Sequence, residues 1–287
     1  ISNKYHDPMN IERLLNQAEF TKDEILSLLN LEDDPGKKLL LKKAEQIERI
    51  CCDSSINSYG LIEISTYCSE NCNYCRLRRD NSSIIRERMN RERIIEIAKE
   101  INTSGIESIV IRSGFDDFYD VDRISYIIYS IKKHADVEIM LSLGERTLEE
   151  YKEWKLAGAN GYRLRFKSSN PNIYNSLNSY GSIESRLKHI ELIKSLGLKI
   201  CSGSIFGLPK QSVDDIAEDL QLIQTINLDI AEFIPFYPQN HTPYEYSTTW
   251  NYDNIKKTNA VAILALQKII RCSKPKYVFN LEGNLVN

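Results

Sequence analysis

No stretch of this sequence is long and apolar enough to cross a bilayer; runs such as residues 261–266 fall far short of a span, so no membrane is expected. Basic residues are not in surplus either. Lys and Arg total 37 against 40 Asp and Glu, a net charge of −3, which leaves no cationic excess to neutralise phosphates and argues against nucleic acid as a partner. Histidine is scarce, and His6, His134, His189 and His241 show no metal-ligand spacing. No basic segment followed by an apolar one opens the chain, so no secretion signal is expected. The chain starts at Ile1 rather than Met, and further residues are expected before it and beyond Asn287. Seven cysteines is an odd number, which speaks against a secreted disulfide framework and for a reducing, cytoplasmic setting.

What is present is a globular composition, 42% hydrophobic and 27% charged over 287 residues, enough for one α/β barrel or two ordinary domains. Residues 9–18, 21–30 and 37–52 read as amphipathic helices, and Thr21 with Glu24 three residues on makes a capping box. From Tyr59 the pattern changes. Short apolar runs at 61–65, 108–111, 137–143, 161–166, 199–205, 230–236 and 277–281 alternate with helical stretches at 91–103, 122–133, 147–157, 183–196, 213–226 and 253–271. Strands separated by whole helices must run parallel, because an antiparallel neighbour needs only a tight turn. Gly105, Gly158 and Gly197 stand between a helix and the next strand, as left-handed C-caps do. The expected fold is a TIM-type (β/α) barrel, full or lacking its last unit, over residues 54–287, with residues 1–53 as an N-terminal helical cap.

The chemistry concentrates in Leu61-Ile-Glu-Ile-Ser-Thr-Tyr-Cys68-Ser-Glu-Asn-Cys72-Asn-Tyr-Cys75. Three soft thiolate ligands with C-x3-C-x2-C spacing follow the first barrel strand, on the face where parallel barrels place their active sites. A zinc site completed by a distant ligand, or an ordinary electron-transfer cluster with a fourth cysteine, are the competing readings. The triplet has no fourth Cys or His in its loop, which leaves one corner of an iron cube open.

With Tyr74 before the last cysteine, this passage resembles the signature of the radical S-adenosylmethionine (SAM) superfamily. Cys75-Arg-Leu-Arg-Arg-Asp-Asn81, Arg88-Met89, Leu141-Ser-Leu-Gly-Glu145, Trp154 with Ala157-Gly-Ala159, Gly203-Ser-Ile-Phe-Gly-Leu-Pro209, Pro235-Phe-Tyr-Pro238 and Thr242-Pro243 are similar to motifs of its HydE-type maturases. Ser65-Thr-Tyr-Cys68, Pro238-Gln239 and Leu281-Glu-Gly283 look like the methylornithine synthase (PylB) branch. The resemblance implies a [4Fe–4S] cluster on Cys68, Cys72 and Cys75, with SAM on the open iron. It also implies reductive cleavage of SAM to a 5′-deoxyadenosyl radical, a small-molecule substrate, and a reductase, flavodoxin or ferredoxin as electron donor. By the same resemblance Tyr74 lies near the adenine, and Ser113, Gly114, Asp116, Ser142, Arg165, Arg186, Gly203 and Ile205 contribute to the cofactor site. It assigns no catalytic side chain.

The departures are specific. Where the family carries Gly-Glu after the second strand, this chain has Gly114-Phe115, and the nearest acid is Asp116. The family's Arg-His-Glu-Thr becomes Arg165-Phe166-Lys167-Ser168, and its Leu-Arg-Pro becomes Leu177-Asn178-Ser179. Lysine cannot accept the hydrogen bonds that a carboxylate accepts. A diverged paralogue follows, whose substrate need not be that of either branch. Cys51, Cys52 and Cys201 read as packing thiols, Cys272 carries no signal, and His241 reads as a surface residue. Arg76, Arg78 and Arg79 fit either an anion-holding loop or a solvated one. Arg163 and Arg165 alternate along a strand and share a face, where burial would demand anions.

Overall fold

The structure, a computed structural model, describes residues 8–52, 59–178, 180–271, 277–279 and 285–286. Helices α1 (Pro8–Leu15), α2 (Lys22–Leu29) and α3 (Asp34–Cys52) come first. The capping box forms as read: Glu24 N–H donates to the Thr21 hydroxyl, and Thr21 N–H donates to the Glu24 carboxylate at 2.9 Å.

The alternating pattern then yields β1 (Gly60–Glu63), α4 (Arg91–Thr103), β2 (Ser108–Arg112), α5 (Val121–His134), β3 (Glu138–Ser142), α6 (Leu148–Ala157) and β4 (Gly161–Arg163). After them come α7 (Pro171–Leu177), α8 (Ile183–Ser195), β5 (Lys199–Phe206), α9 (Val213–Thr225), β6 (Ile230–Pro235) and α10 (Tyr252–Ala265). Strands β1 to β6 lie side by side in chain order, every pair parallel, with registers such as Gly60↔Ile109 and Cys201↔Ile230. Gly105, Gly158 and Gly197 all take positive φ at their helix–strand junctions. The chain is therefore an α/β protein built on a parallel partial barrel.

Two boundaries differ from the sequence reading. The helix expected over 253–271 ends at Ala265, and Ile270–Arg271 form a short strand, β7, parallel to β6. Strand β8 (Tyr277–Phe279), read as the seventh strand of the series, pairs instead with β1, and β9 (Leu285–Val286) runs antiparallel to β8. Among the described residues no ladder joins β7 to β8 or β9, so the sheet is curved but not closed by hydrogen bonds.

The core is continuous from the sheet to the outer helices and into the N-terminal ones, where α2 packs on α9 and α10, and α3 on α10. No helix among the described residues is long and apolar enough to cross a membrane. Cys272 and Leu281-Glu-Gly283 lie outside the described residues, as do the side chains of Cys51 and Cys52.

Candidate active site

Each cysteine of the triplet sits on the connection from β1 to α4, at the carboxyl ends of the strands. Backbone bonds from Thr66 N–H to Glu87 C=O (3.0 Å) and from Met89 N–H to Ile64 C=O (2.8 Å) close this connection into a loop. Arg86 holds it from within, donating to the carbonyls of Leu77 (2.9 Å), Arg78 (2.6 Å) and Asn81 (3.2 Å). From the other side, Asn73 bonds the last turn of α7 through its N–H to Leu177 C=O (2.8 Å) and its amide to Ser176 C=O (2.9 Å). The loop is thus fixed at both ends before any ligand arrives.

The turn after β2 meets Cys68. Phe115 N–H donates to the Cys68 sulfur at 3.3 Å, and Ser69 N–H donates to Phe115 C=O at 2.8 Å. Gly114 is required at this approach: a Cβ there would lie 2.6 Å from the Cys68 Cβ and 2.9 Å from its sulfur. The Cys72 thiol points to Asn178 Oδ1 at 3.7 Å. Burial raises the Cys68 thiol, and burial with the neighbouring Cys72 and Cys68 pushes Cys75 up to about 11 despite a backbone donor. Metal binding here must therefore displace protons.

All three thiols line one cavity of about 500 Å³. Yet no three Cys, His, Asp or Glu side chains among the described residues close on a single point able to hold one ion. Zinc needs four ligands converging at about 2.3 Å or less. Three sulfurs that open on one cavity without closing on a single point, with an amide donor aimed at one of them, fit a cluster whose irons each take one thiolate.

Of the residues the resemblance named, Tyr74, Ser113, Gly114, Ser142, Arg165, Arg186 and Ile205 line this cavity. Asp116 and Gly203 do not. The Asp116 carboxylate turns away, bound by Arg88 Nε and Nη2 (2.8 and 2.9 Å) and by the Ser65 hydroxyl at 2.6 Å. It cannot stand in for the missing acid. Gly203 has φ +153, and a Cβ there would sit 1.7 Å from Glu232 C=O, so the residue serves close strand packing. Cys201 is fully buried and off the cavity wall, His241 is exposed, and Arg79 pairs with Asp80 on the surface. Arg76 does face the cavity.

Deeper in the barrel Arg163 and Arg165 share a face, and both pair with Glu232, while Arg112 pairs with Glu63. Burial would raise the Glu232 carboxyl, but Arg165 and Arg163 outweigh it and hold it down to about 2. Burial with the like charges of Arg163 and Arg165 lowers Arg112 to about 10. The sequence reading passed over Glu63, Arg112 and Glu232, although each is a lone charge in an apolar strand such as Ile230-Ala-Glu-Phe-Ile234. A strand buried on both faces carries a charge only with a partner.

Nearer the cysteines, Arg186 faces Glu145 at 2.7 Å and the Tyr174 hydroxyl at 3.1 Å. Lys167 reaches Asn178 Oδ1 and lies over the rings of Tyr74 (5.5 Å) and Tyr174 (5.8 Å). Burial, then the like charge of Arg186, lowers its ammonium to about 8.

Comparison with known proteins agrees with this geometry. The chain is 38% identical over 229 residues to the [FeFe] hydrogenase maturase subunit HydE of Thermotoga maritima, covering 80% of this chain and 66% of that relative. The alignment thus spans just under two thirds of the relative's length. The crystal structure of methylornithine synthase (PylB) superposes with a TM-score of 0.81 at 22% identity, over 91% of this chain and 77% of that one. The hydrogenase maturase HydG gives 0.76 at 19% identity, over 93% of this chain and 63% of that one. At these identities the two structures speak for the fold. The Radical SAM superfamily model matches residues 62–223, more than half of the sequence, and the chain belongs to that superfamily.

Proposed function

We propose that this chain is a HydE-type radical SAM enzyme that acts on a small molecule within its barrel in the maturation of [FeFe]-hydrogenase. The observation that carries the reading is the single cavity onto which Cys68, Cys72 and Cys75 open, bounded by buried ion pairs. Identity of 38% to a HydE maturase supports the HydE assignment over the PylB one. A cavity of about 500 Å³ is of the size that takes small ligands. Cys68, Cys72 and Cys75 would hold the cluster, and Tyr74, Ser113, Gly114, Ser142, Arg165, Arg186 and Ile205 would enclose SAM or substrate. When bound, the cluster and SAM supply reductive cleavage of the SAM S–C5′ bond and with it a 5′-deoxyadenosyl radical.

The chain's own contribution is placement and exclusion of water. Phe115 N–H stabilises negative charge on the Cys68 sulfur. The paired arginines present fixed charge to whatever enters, with their own partners already in place. The reading takes residues 1–53 as a cap on the barrel of 54–287, a cytoplasmic and anaerobic setting, and a reductase, flavodoxin or ferredoxin as electron source.

The test is anaerobic reconstitution with iron and sulfide, then dithionite and SAM. We expect about four irons per chain, thiolate-to-iron absorbance and 5′-deoxyadenosine in the product. A fully loaded chain that yields none would point to a second reading, a cluster-bearing paralogue without catalysis, which Lys167 at the family's acid position motivates.

A further inference from the structure

Lys167 is a buried cation that forms no ion pair among the described residues. It is 8% exposed and lines the cavity, yet no carboxylate pairs with it among the described residues, in contrast to Arg163, Arg165 and Arg186 on the same walls. Among the described residues its ammonium donates to Asn178 Oδ1 alone, whereas an ammonium offers three donors. The faces of Tyr74 and Tyr174 lie against it, the like charge of Arg186 opposes it, and Glu145 and the Cys72 and Cys75 sulfurs act on it only from beyond ion-pair distance. Desolvating a charge against such weak partners is unfavourable unless a ligand completes them.

The backbone at Lys167 is also strained. Its φ is +75, the left-handed region that costs a side chain about 1–2 kcal/mol. The fold enforces it from both sides. Lys167 N–H donates to Gly203 C=O at 3.0 Å, and Ile205 N–H donates to Lys167 C=O at 2.8 Å. The following residues are clamped to α9, Ser169 by its N–H and hydroxyl to Asp219 and Asn170 by its amide to Asp215, all at 2.6 Å. Strain that its surroundings over-determine marks positions kept for function.

The location narrows the ligand. Asn178 Oδ1, which receives Lys167, also receives the Cys72 thiol, and Tyr74 lies between Cys72 and Cys75 in the loop. The unpaired ammonium therefore stands beside the cysteines rather than among the ion pairs deeper in the barrel. Arg186, the neighbouring cation, already faces Glu145.

We infer that Lys167 is the counter-charge for the carboxylate of SAM, a contact that this chain makes with a lysine at a position where its family carries an acid. The inference rests on the radical SAM reading above. An α-carboxylate supplies the two acceptors and the single negative charge that Lys167 lacks. Asn178 is a positioning residue, holding the ammonium toward the cysteine loop.

The experiment is anaerobic calorimetry on the cluster-loaded chain, with iron content and melting temperature matched between wild type and Lys167→Met. Two probes are titrated: SAM, and 5′-methylthioadenosine, which keeps the nucleoside but lacks the amino-acid end. In Lys167→Met, SAM affinity should fall roughly ten- to hundredfold, while 5′-methylthioadenosine binds as before. Lys167→Arg, which keeps the charge, should recover part of the loss. Unchanged SAM affinity in Lys167→Met overturns the proposal, as does an equal loss for both probes. Failure of the loaded wild-type chain to bind SAM at all is a separate result, and it would remove the enzyme reading on which the proposal stands.

Discussion

Gly114 shows how one missing atom fixes the relation between two loops. The cysteine loop and the turn after β2 approach until the Gly114 α-carbon faces the Cys68 side chain, with Tyr67 C=O at 2.6 Å from any added Cβ. Backbone on one side and the short Cys68 side chain on the other leave nothing flexible to yield. Gly114→Ala should therefore push Cys68 off its position while leaving the hydrophobic core intact. We expect iron per reconstituted chain to fall by at least half, with a melting temperature of the metal-free protein within about 2–4 °C of wild type, the shift that about 1 kcal/mol produces in a large domain. Full iron loading of the alanine variant would show that the approach is looser than its contacts. The sequence flagged Gly114 through its family motif, but the reason for a glycine there is tertiary. It lies in a side chain 46 residues away in the chain, as the Gly114–Cys68 pair shows.

At the scale of elements, α9 acts as the post to which the β4–α7 turn is tied. Asp219 on α9 is fully buried and accepts from Ser169 N–H, the Ser169 hydroxyl and the Gln211 amide at 3.2 Å, and its charged neighbour is the like-signed Asp215. Burial raises its carboxyl from the ordinary 3.8 to about 7, more than the Ser169 donors lower it. Between those values the folded protein holds a proton that the unfolded chain has released, so stability declines as pH rises through this window. Asp219→Asn removes the titration and keeps one oxygen for Ser169. Wild type should lose on the order of a few kcal/mol between about pH 4 and pH 7 relative to Asp219→Asn, read as diverging denaturant midpoints. Parallel curves for the two proteins would sink the assignment. This tie was not legible in the sequence, and neither was α7 itself. Asn170-Pro171 is a good helix start, with the Asn170 side chain accepting from Asn172 and Ile173, but seven residues are too few to show a period. The six parallel strands were legible because each is a short apolar run between long amphipathic helices. Strand β7 was not, because Ile270–Arg271 follow α10 after a few residues and continue its apolar pattern. The same rule governs the site. The cysteines stand out by type and spacing, whereas the partners of Glu63, Arg112 and Glu232 follow from strand register, Glu63 facing Arg112 across β1 and β2, and Glu232 reaching Arg163 and Arg165 across β5.

For the molecule as a whole, the open question is whether the N-terminal helices are an appendage or part of the fold. Their side chains argue for the second. Ile25 is 0% exposed, Leu28 2%, and Phe20 and Leu29 4% each, and all belong to the same core as the barrel's strands and outer helices. Polar ties follow the same path: Lys22 pairs with Asp214 (2.9 Å) and Glu218 (2.6 Å) of α9, and Lys257 of α10 donates to Leu31 C=O at 3.3 Å. Surface pairs of this kind contribute at most about 1 kcal/mol, so the apolar burial decides. Fully burying a large aliphatic or aromatic side chain is worth about 1.5–3 kcal/mol. The four named here therefore account for roughly 6–12 kcal/mol, against a total stability of about 5–15 kcal/mol for a typical fold. Deleting residues 1–33, which hold α1 and α2, uncovers matching apolar surface on α9 and α10. The truncated chain should then lack a cooperative thermal transition and bind an apolar dye such as ANS. The intact chain should unfold in one step by far-UV circular dichroism and by the fluorescence of Trp154 and Trp250, which lie on and beside the barrel. A truncated chain that still melts cooperatively within a few degrees of the intact one would mean that the barrel carries its own stability and that the helices only rest upon it.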